Sequence, residues 1–228
     1  MLGSILALLF AALLIFVVAR IERMRDRLRT EAMRQLAVRL GYRFAPALDT
    51  WWPPLPIFAR GTNRGLLNTM TTTIRVGERP CRMRLGDAQC IVKSGRSSTR
   101  VLFSYVLVDS PYPPTPDLVV RHESVMDRVA DALGFDDIDL ESAEFSRKFR
   151  VKCADRRFAW DFLHARMMQL LLESTEGAFE VGGDLIVVSD GWTRWEPRAF
   201  ASRIELMQRI LELWPEHRKE AARAGGAA

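Results

Sequence analysis

The densest group of side chains capable of chemistry is acidic: Asp136, Asp137, Asp139, Glu141 and Glu144. Carboxylates spaced as in Asp137-x-Asp139-x-Glu141 can surround a hard cation such as calcium, which prefers oxygen ligands. A calcium loop also needs a glycine at its sixth place and a bidentate glutamate at its twelfth, where Lys148 stands here. The segment therefore reads as a solvated helix-to-strand loop, with a metal or basic-partner site as the alternative. His122, His164 and His217 share no metal-ligand spacing, and His164, one residue past Leu163 on an apolar helix, reads as structural. G-x-S-x-G, H-E-x-x-H, Walker and G-x-G-x-x-G patterns do not occur. No catalytic residue, metal or cofactor is assigned, and catalysis is not expected. Cys81, Cys90 and Cys153 contain no CxxC and are expected to be reduced thiols, although Cys81 and Cys90 could face each other on neighbouring strands.

The elements that would carry a function lie at the N-terminus. Leu2 to Ala19 contains no charge and reads as a single transmembrane helix, because about 18 residues at ~1.5 Å each approach the ~30 Å hydrocarbon core. Arg20, Arg23, Arg25, Arg27 and Arg29 crowd its C-terminal flank. By the positive-inside rule this predicts a single-pass protein of a bacterial inner membrane, N-terminus outside and C-terminal domain in the cytoplasm. The bacterial assignment rests on the basic residues, nearly all of them Arg.

The formal net charge of +5 has one source. Residues 20–43 hold eight Arg against three acids, and the rest of the chain balances at 25 and 25. A basic excess confined beside the apolar segment fits anionic lipid head groups, worth ~1 kcal/mol per basic residue near the surface. It does not fit nucleic acid, which calls for a basic face on the domain itself.

Four segments follow: an anchor over 1–19, a basic juxtamembrane helix over 20–41, an α+β domain over 42–216 and a disordered tail over 217–228. Ile21, Met24, Leu28, Ala32, Leu36 and Leu40 form a stripe that packs on the domain or pairs with a second copy, and Gly41 stops the helix. Trp51-Trp52 sit among prolines and either plug a core edge or touch the membrane surface, where Trp is favoured. Short runs from Phe58 to Asp109, separated at Gly77–Pro80, Gly86-Asp87 and Ser94–Ser98, predict an antiparallel meander with Val101–Val108 as a central strand. Ser110–Pro116 is a stiff crossing to a short strand at Leu118–Val120. Glu123–Leu133 reads as a helix. Phe145, Phe149 and Val151 alternate with polar residues as a strand would. Asp155 caps a helix running to Leu172, Ala178–Val188 is a hairpin, and Pro197 opens a last helix.

Leu140 to Asp190 resembles the C-terminal part of a bacterial family of membrane-anchored proteins of unknown function. The matching pattern is Glu141-Ser142, Glu144-Phe145, Phe149, Val151, Asp155, Ala159, Leu163, Met167-Met168 and Leu171, followed by a hairpin. The resemblance implies architecture and a membrane anchor, and no activity. The N-terminal half departs from it, with one anchor where many members have more.

The sequence thus predicts an α+β fold, an antiparallel sheet with packed helices, and a membrane-anchored interaction or scaffold domain. Alternatives are a lipid or small-ligand binder at the membrane surface, using Trp51 and Trp52, and an enzyme of unrecognised class. Expected partners are the bilayer, anionic head groups, a protein of unknown identity, and a second copy through the juxtamembrane helix.

Overall fold

The computed structural model describes residues 2–122, 138, 140, 142–174 and 178–225, with side chains within 9–222. It confirms the α+β class. The long helix α1 (Leu2–Leu40) precedes a short strand β1 (Arg43–Ala45). The strands β2 (Thr62–Val76), β3 (Arg79–Ser94), β4 (Ser97–Asp109) and β5 (Thr115–His122) follow. Then come α2 (Ala143–Lys148), β6 (Phe149–Cys153), α3 (Arg156–Phe162), α4 (Ala165–Glu173) and the hairpin β7 (Phe179–Gly183) and β8 (Leu185–Val188). The helices α5 (Phe200–Glu212) and α6 (Glu216–Gly225) close the described chain.

All eight strands join one antiparallel sheet in the order β1-β2-β3-β4-β8-β7-β5-β6. The nearly all-apolar VLFSYVLV lies in β4, at the middle of the sheet and buried on both faces, as its composition predicts. One face carries Met70, Met83, Leu85, Val106, Val120, Phe179 and Val188 against α3, α4, α5 and the end of α1. The other is covered by the proline-rich segment, whose Leu55, Ile57 and Phe58 seal Ala88, Phe103, Tyr105, Leu107 and Val187.

Several local expectations are corrected. The transmembrane helix expected over Leu2–Ala19 is not supported: among the described residues, no helix is long and apolar enough to cross a membrane. Past Ala19 the helix is densely charged, with Arg20, Glu22, Arg23, Arg25 and Asp26 following at once. The single-pass assignment falls with it. The helix itself continues unbroken through 20–40, as the stripe predicts, and α1 ends at Leu40. There a Schellman cap ends it: Tyr42 N–H donates to Ala37 O at 2.9 Å, Gly41 N–H to Val38 O at 3.2 Å, and Gly41 takes φ 70°.

Cys81 and Cys90 sit on the same strand, β3, so they cannot face each other across a pair; both are buried free thiols. Phe145 belongs to a helix rather than a strand. Its N–H is capped by Ser142 Oγ at 3.2 Å, and a spacing of four brings its ring onto Phe149 at 4.7 Å. The helix expected from Asp155 to Leu172 breaks at His164. The His164 Nδ1 caps α4 by accepting from Met167 N–H at 3.3 Å, while its Nε2 lies 2.9 Å from Leu213 O. The tail from His217 is helical through Gly225, with Ala222 buried. The expected helix Glu123–Leu133 lies outside the described residues.

Trp214 locks the C-terminal helices to the core, stacked on Tyr112 at 4.8 Å and edge-on to Phe162 at 4.8 Å. Trp214→Ala should cost about 3–5 kcal/mol, read as a lower urea midpoint with an unchanged slope.

Candidate functional site

The candidate site is α1 together with what holds it. Between Leu9 and Arg25 every side chain except Ala19 is exposed. Leu9, Phe10, Leu13, Leu14, Ile15, Phe16, Val17 and Val18 thus show bare apolar surface on every side of the helix, with Phe10 69% and Ile15 70% accessible. Large apolar side chains concentrated in this way mark an interaction surface, unlike single scattered ones. Arg20, Arg23, Arg25 and Arg27 form an exposed collar directly after them.

Arg29 does not join that collar. It turns into the domain and grips Asp87 with both ends of its guanidinium, Nε to Oδ2 at 3.0 Å and Nη2 to Oδ1 at 2.8 Å. Asp87 is fully buried in the middle of β3. It also accepts from Ser104 Oγ at 2.8 Å, Asn68 Nδ2 at 3.2 Å and Arg194 Nε at 3.3 Å. Arg194 continues the network to Asp26 at 3.4 Å, which Arg100 meets at 3.3 Å. Below this polar junction Met33, Leu36 and Ala37 enter the core, so the predicted stripe packs on the domain only from that point. Its upper members Ile21, Met24 and Leu28 stay exposed.

The sheet is shaped to admit the carboxylate. The β2–β3 register slips between Leu67 and Met70, and Asn68 takes φ 51°, a left-handed conformation that asparagine tolerates. Gly86 lies beneath the bulge, where a Cβ would come within 2.9 Å of the Leu67 and Asn68 carbonyl oxygens. Gly86-Asp87 is therefore a seat within one continuous strand, and not the break between strands that its composition suggests. Burial acts to raise the Asp87 carboxyl, but the hydrogen bonds and charge of Arg29, with Arg194 and Ser104, hold it below the usual carboxylate range. With its oxygens fully occupied by donors, this carboxylate works as a clamp, not as a base or nucleophile.

The two tryptophans separate. Trp52 packs edge-on against Phe58 at 5.1 Å and its Nε1 donates to Phe58 O, so it belongs to the cover over the second face. Trp51 is exposed at the surface, with the Arg84 guanidinium 3.9 Å above its ring and Leu48 also exposed nearby in the chain. Of the acidic group, Asp136, Asp137, Asp139 and Glu141 lie outside the described residues, and Glu144 is exposed on α2. The three histidines sit on different elements: His122 ends β5, His164 caps α4, and His217 on α6 meets Asp161 at 3.2 Å. Among the described residues no group of three or more His, Cys, Asp or Glu is placed to hold a metal ion. An open cleft of about 1190 Å³ lies between the β2–β3 turn and the C-terminal helices, lined in part by Ile74, Arg79, Tyr112, Leu211 and Lys219.

No family model matches the chain, and no curated protein matches it. The unknown-function family that Leu140–Asp190 resembles is therefore not confirmed. Among solved structures the chain is similar to the crystal structure of the mycobacterial trehalose monomycolate transport factor A, TtfA. The TM-score is 0.54 at 11% identity, over 82% of this chain and 96% of that one. At this identity the likeness is one of fold.

Asp26, Asp87, Arg194, Asn68 and Ser104 escape sequence reasoning, because they lie up to 168 positions apart in the chain. Only Gly86-Asp87, set between Leu85 and Ala88, gives a local sign. Asp87→Asn leaves Arg29 facing no charge and should cost about 3–5 kcal/mol. The unfolded chain takes up this proton more readily than the folded one, so the contribution is complete above the ordinary carboxyl value of ~3.9 and is lost as pH falls through the lower folded value. Melting curves of the wild type and Asp87→Asn should accordingly be far apart at pH 7 and converge below about pH 4.

Proposed function

We propose that this chain is a non-catalytic membrane-surface factor: its domain presents a protein-binding surface while α1 holds it to lipid. The observation that carries this reading is Leu9–Val18, apolar on all sides and exposed, on a helix continuous with the core. Such a surface is stable in water only when something apolar covers it. The collar of Arg20, Arg23, Arg25 and Arg27 favours an anionic bilayer as that cover, since their long stems can lie along the apolar region with the guanidiniums at the head groups. It disfavours a second copy of the same helix, because like charges would flank the shared seam. The domain then rests on the cytoplasmic face of the inner membrane, where anionic head groups meet the arginines.

The similarity to TtfA supports a supporting role over a catalytic one: a protein of this fold bears the name of a transport factor. We extend that name to this chain as a role, assistance to a membrane-bound transport or assembly machine, without its cargo. Trp51 offers a secondary lipid contact; Trp52 is engaged in the fold.

Flotation of the full chain tests this. Vesicles of phosphatidylcholine with phosphatidylglycerol should carry more protein than phosphatidylcholine alone. Replacing Arg20, Arg23, Arg25 and Arg27 by Gln should weaken the anionic preference by roughly 1 kcal/mol per residue. Trp51→Ala should lower binding only slightly. Equal flotation after deletion of residues 1–25 would refute the assignment.

A further inference from the structure

A second polar cluster lies buried on the sheet face opposite α1, and several of its donors have no hydrogen-bond acceptor. Arg121 on β5 is 1% exposed and donates through Nη2 to Glu180 Oε1 on β7, itself fully buried. The other oxygen of Glu180, Oε2, accepts from Ile57 N–H at 2.7 Å, so both carboxylate oxygens are engaged. Arg121 Nε and Nη1 remain buried with no hydrogen-bond partner. Arg60 stands close enough for the two guanidiniums to repel. Its Nε, Nη1 and Nη2 are likewise buried and unpartnered. Trp192 lies flat against the Arg60 guanidinium at 3.7 Å, and Phe103 flanks it at 5.3 Å. The Cys90 thiol and the Asp190 carboxylate lie near enough to favour the Arg60 charge, and Asp190 Oδ1 is engaged by the Trp192 and Thr193 N–H groups at 2.8 Å each.

Five donor nitrogens thus face no acceptor, and each buried unsatisfied donor costs about 1–3 kcal/mol, more when charged. Water could accept some of these hydrogen bonds, but two neighbouring guanidiniums would still repel each other in a low-dielectric site. An anion with several oxygens answers both demands. Two planar forks, that of Arg60 held against aromatic faces, suit tetrahedral oxyanions, which arginine binds with paired N–H groups.

We propose that Arg60 and Arg121 form a binding site for a phosphate-class oxyanion, entered from the rim where Arg60 is half-buried. Ile57, Phe103 and Trp192 wall it, and Glu180 holds Arg121 in place from behind. The ligand is a phosphate monoester or inorganic phosphate in solution, or the same group on a lipid head. The site stands independently of α1 and of the lipid contact proposed for it.

The test is thermal melting of the intact protein in potassium phosphate against potassium chloride at matched ionic strength. Phosphate should raise the melting temperature in a saturable way, and chloride should not. Arg60→Gln, at the rim, should stay folded by circular dichroism and lose on the order of tenfold or more in apparent phosphate affinity. Arg157→Gln, on a distant helix, should keep it. Arg121→Gln should also lose the response; if it fails to fold, Arg60→Gln decides alone. Glycerol phosphate and short-chain phosphatidic acid assign the source: equal shifts indicate a soluble phosphate, and a shift at far lower concentrations of the lipid indicates a head group. Equal stabilisation by phosphate and chloride, or an unchanged phosphate response in Arg60→Gln, would overturn the proposal.

Discussion

The structure depends on one buried carboxylate. Asp87 sits in the interior of the sheet, where an unpaired charge would cost several kcal/mol, and beside Ser104 on the neighbouring strand its partners come from three further stretches of chain. Arg29 arrives on α1, Asn68 at a bulge in β2, and Arg194 on the loop after β8. Each meets Asp87 only if its own element is correctly placed. The ion pair therefore sets the register of the helix on the sheet with more specificity than the apolar contacts of Met33, Leu36 and Ala37 would supply.

That junction divides α1 into two parts. Beyond Arg29 the helix is a member of the core, ended by a Schellman cap at Gly41. Before Asp26 it leaves the domain and exposes apolar residues that no part of the described chain covers. Because the helix is continuous, a load on the projecting part is carried to β3 through Arg29 and Asp87. The projecting apolar part and the folded domain are thereby joined by a continuous helix instead of a linker.

The two faces of the sheet differ in kind. Helices bury the first face with aromatic and aliphatic side chains. The second has a proline-stiffened strap, and beneath that strap lie the Arg121–Glu180 pair and the unpartnered Arg60. A thin cover over buried donors that meet no acceptor is an unusual way to close a core, and it is the feature that points to a ligand.

Much of this was legible in the chain itself. The α+β class followed from strand-length apolar runs between turn residues, and the central place of Val101–Val108 from apolarity at every position. The caps at Ser142, Asp155 and Gly41 are local chemistry, readable within four residues. The stripe on α1 was visible as well, but how far it docks was not. Phe145 was misassigned because spacings of two and four coincide over a few residues, and only its contacts choose between strand and helix. Gly86-Asp87 looked like a turn because its partners are far away in sequence. Local propensity and periodicity are properties of neighbouring residues, and these the sequence determined. Where a buried charge finds its counter-charge depends on which distant segments the fold brings within 3 Å, and that only the tertiary structure decided.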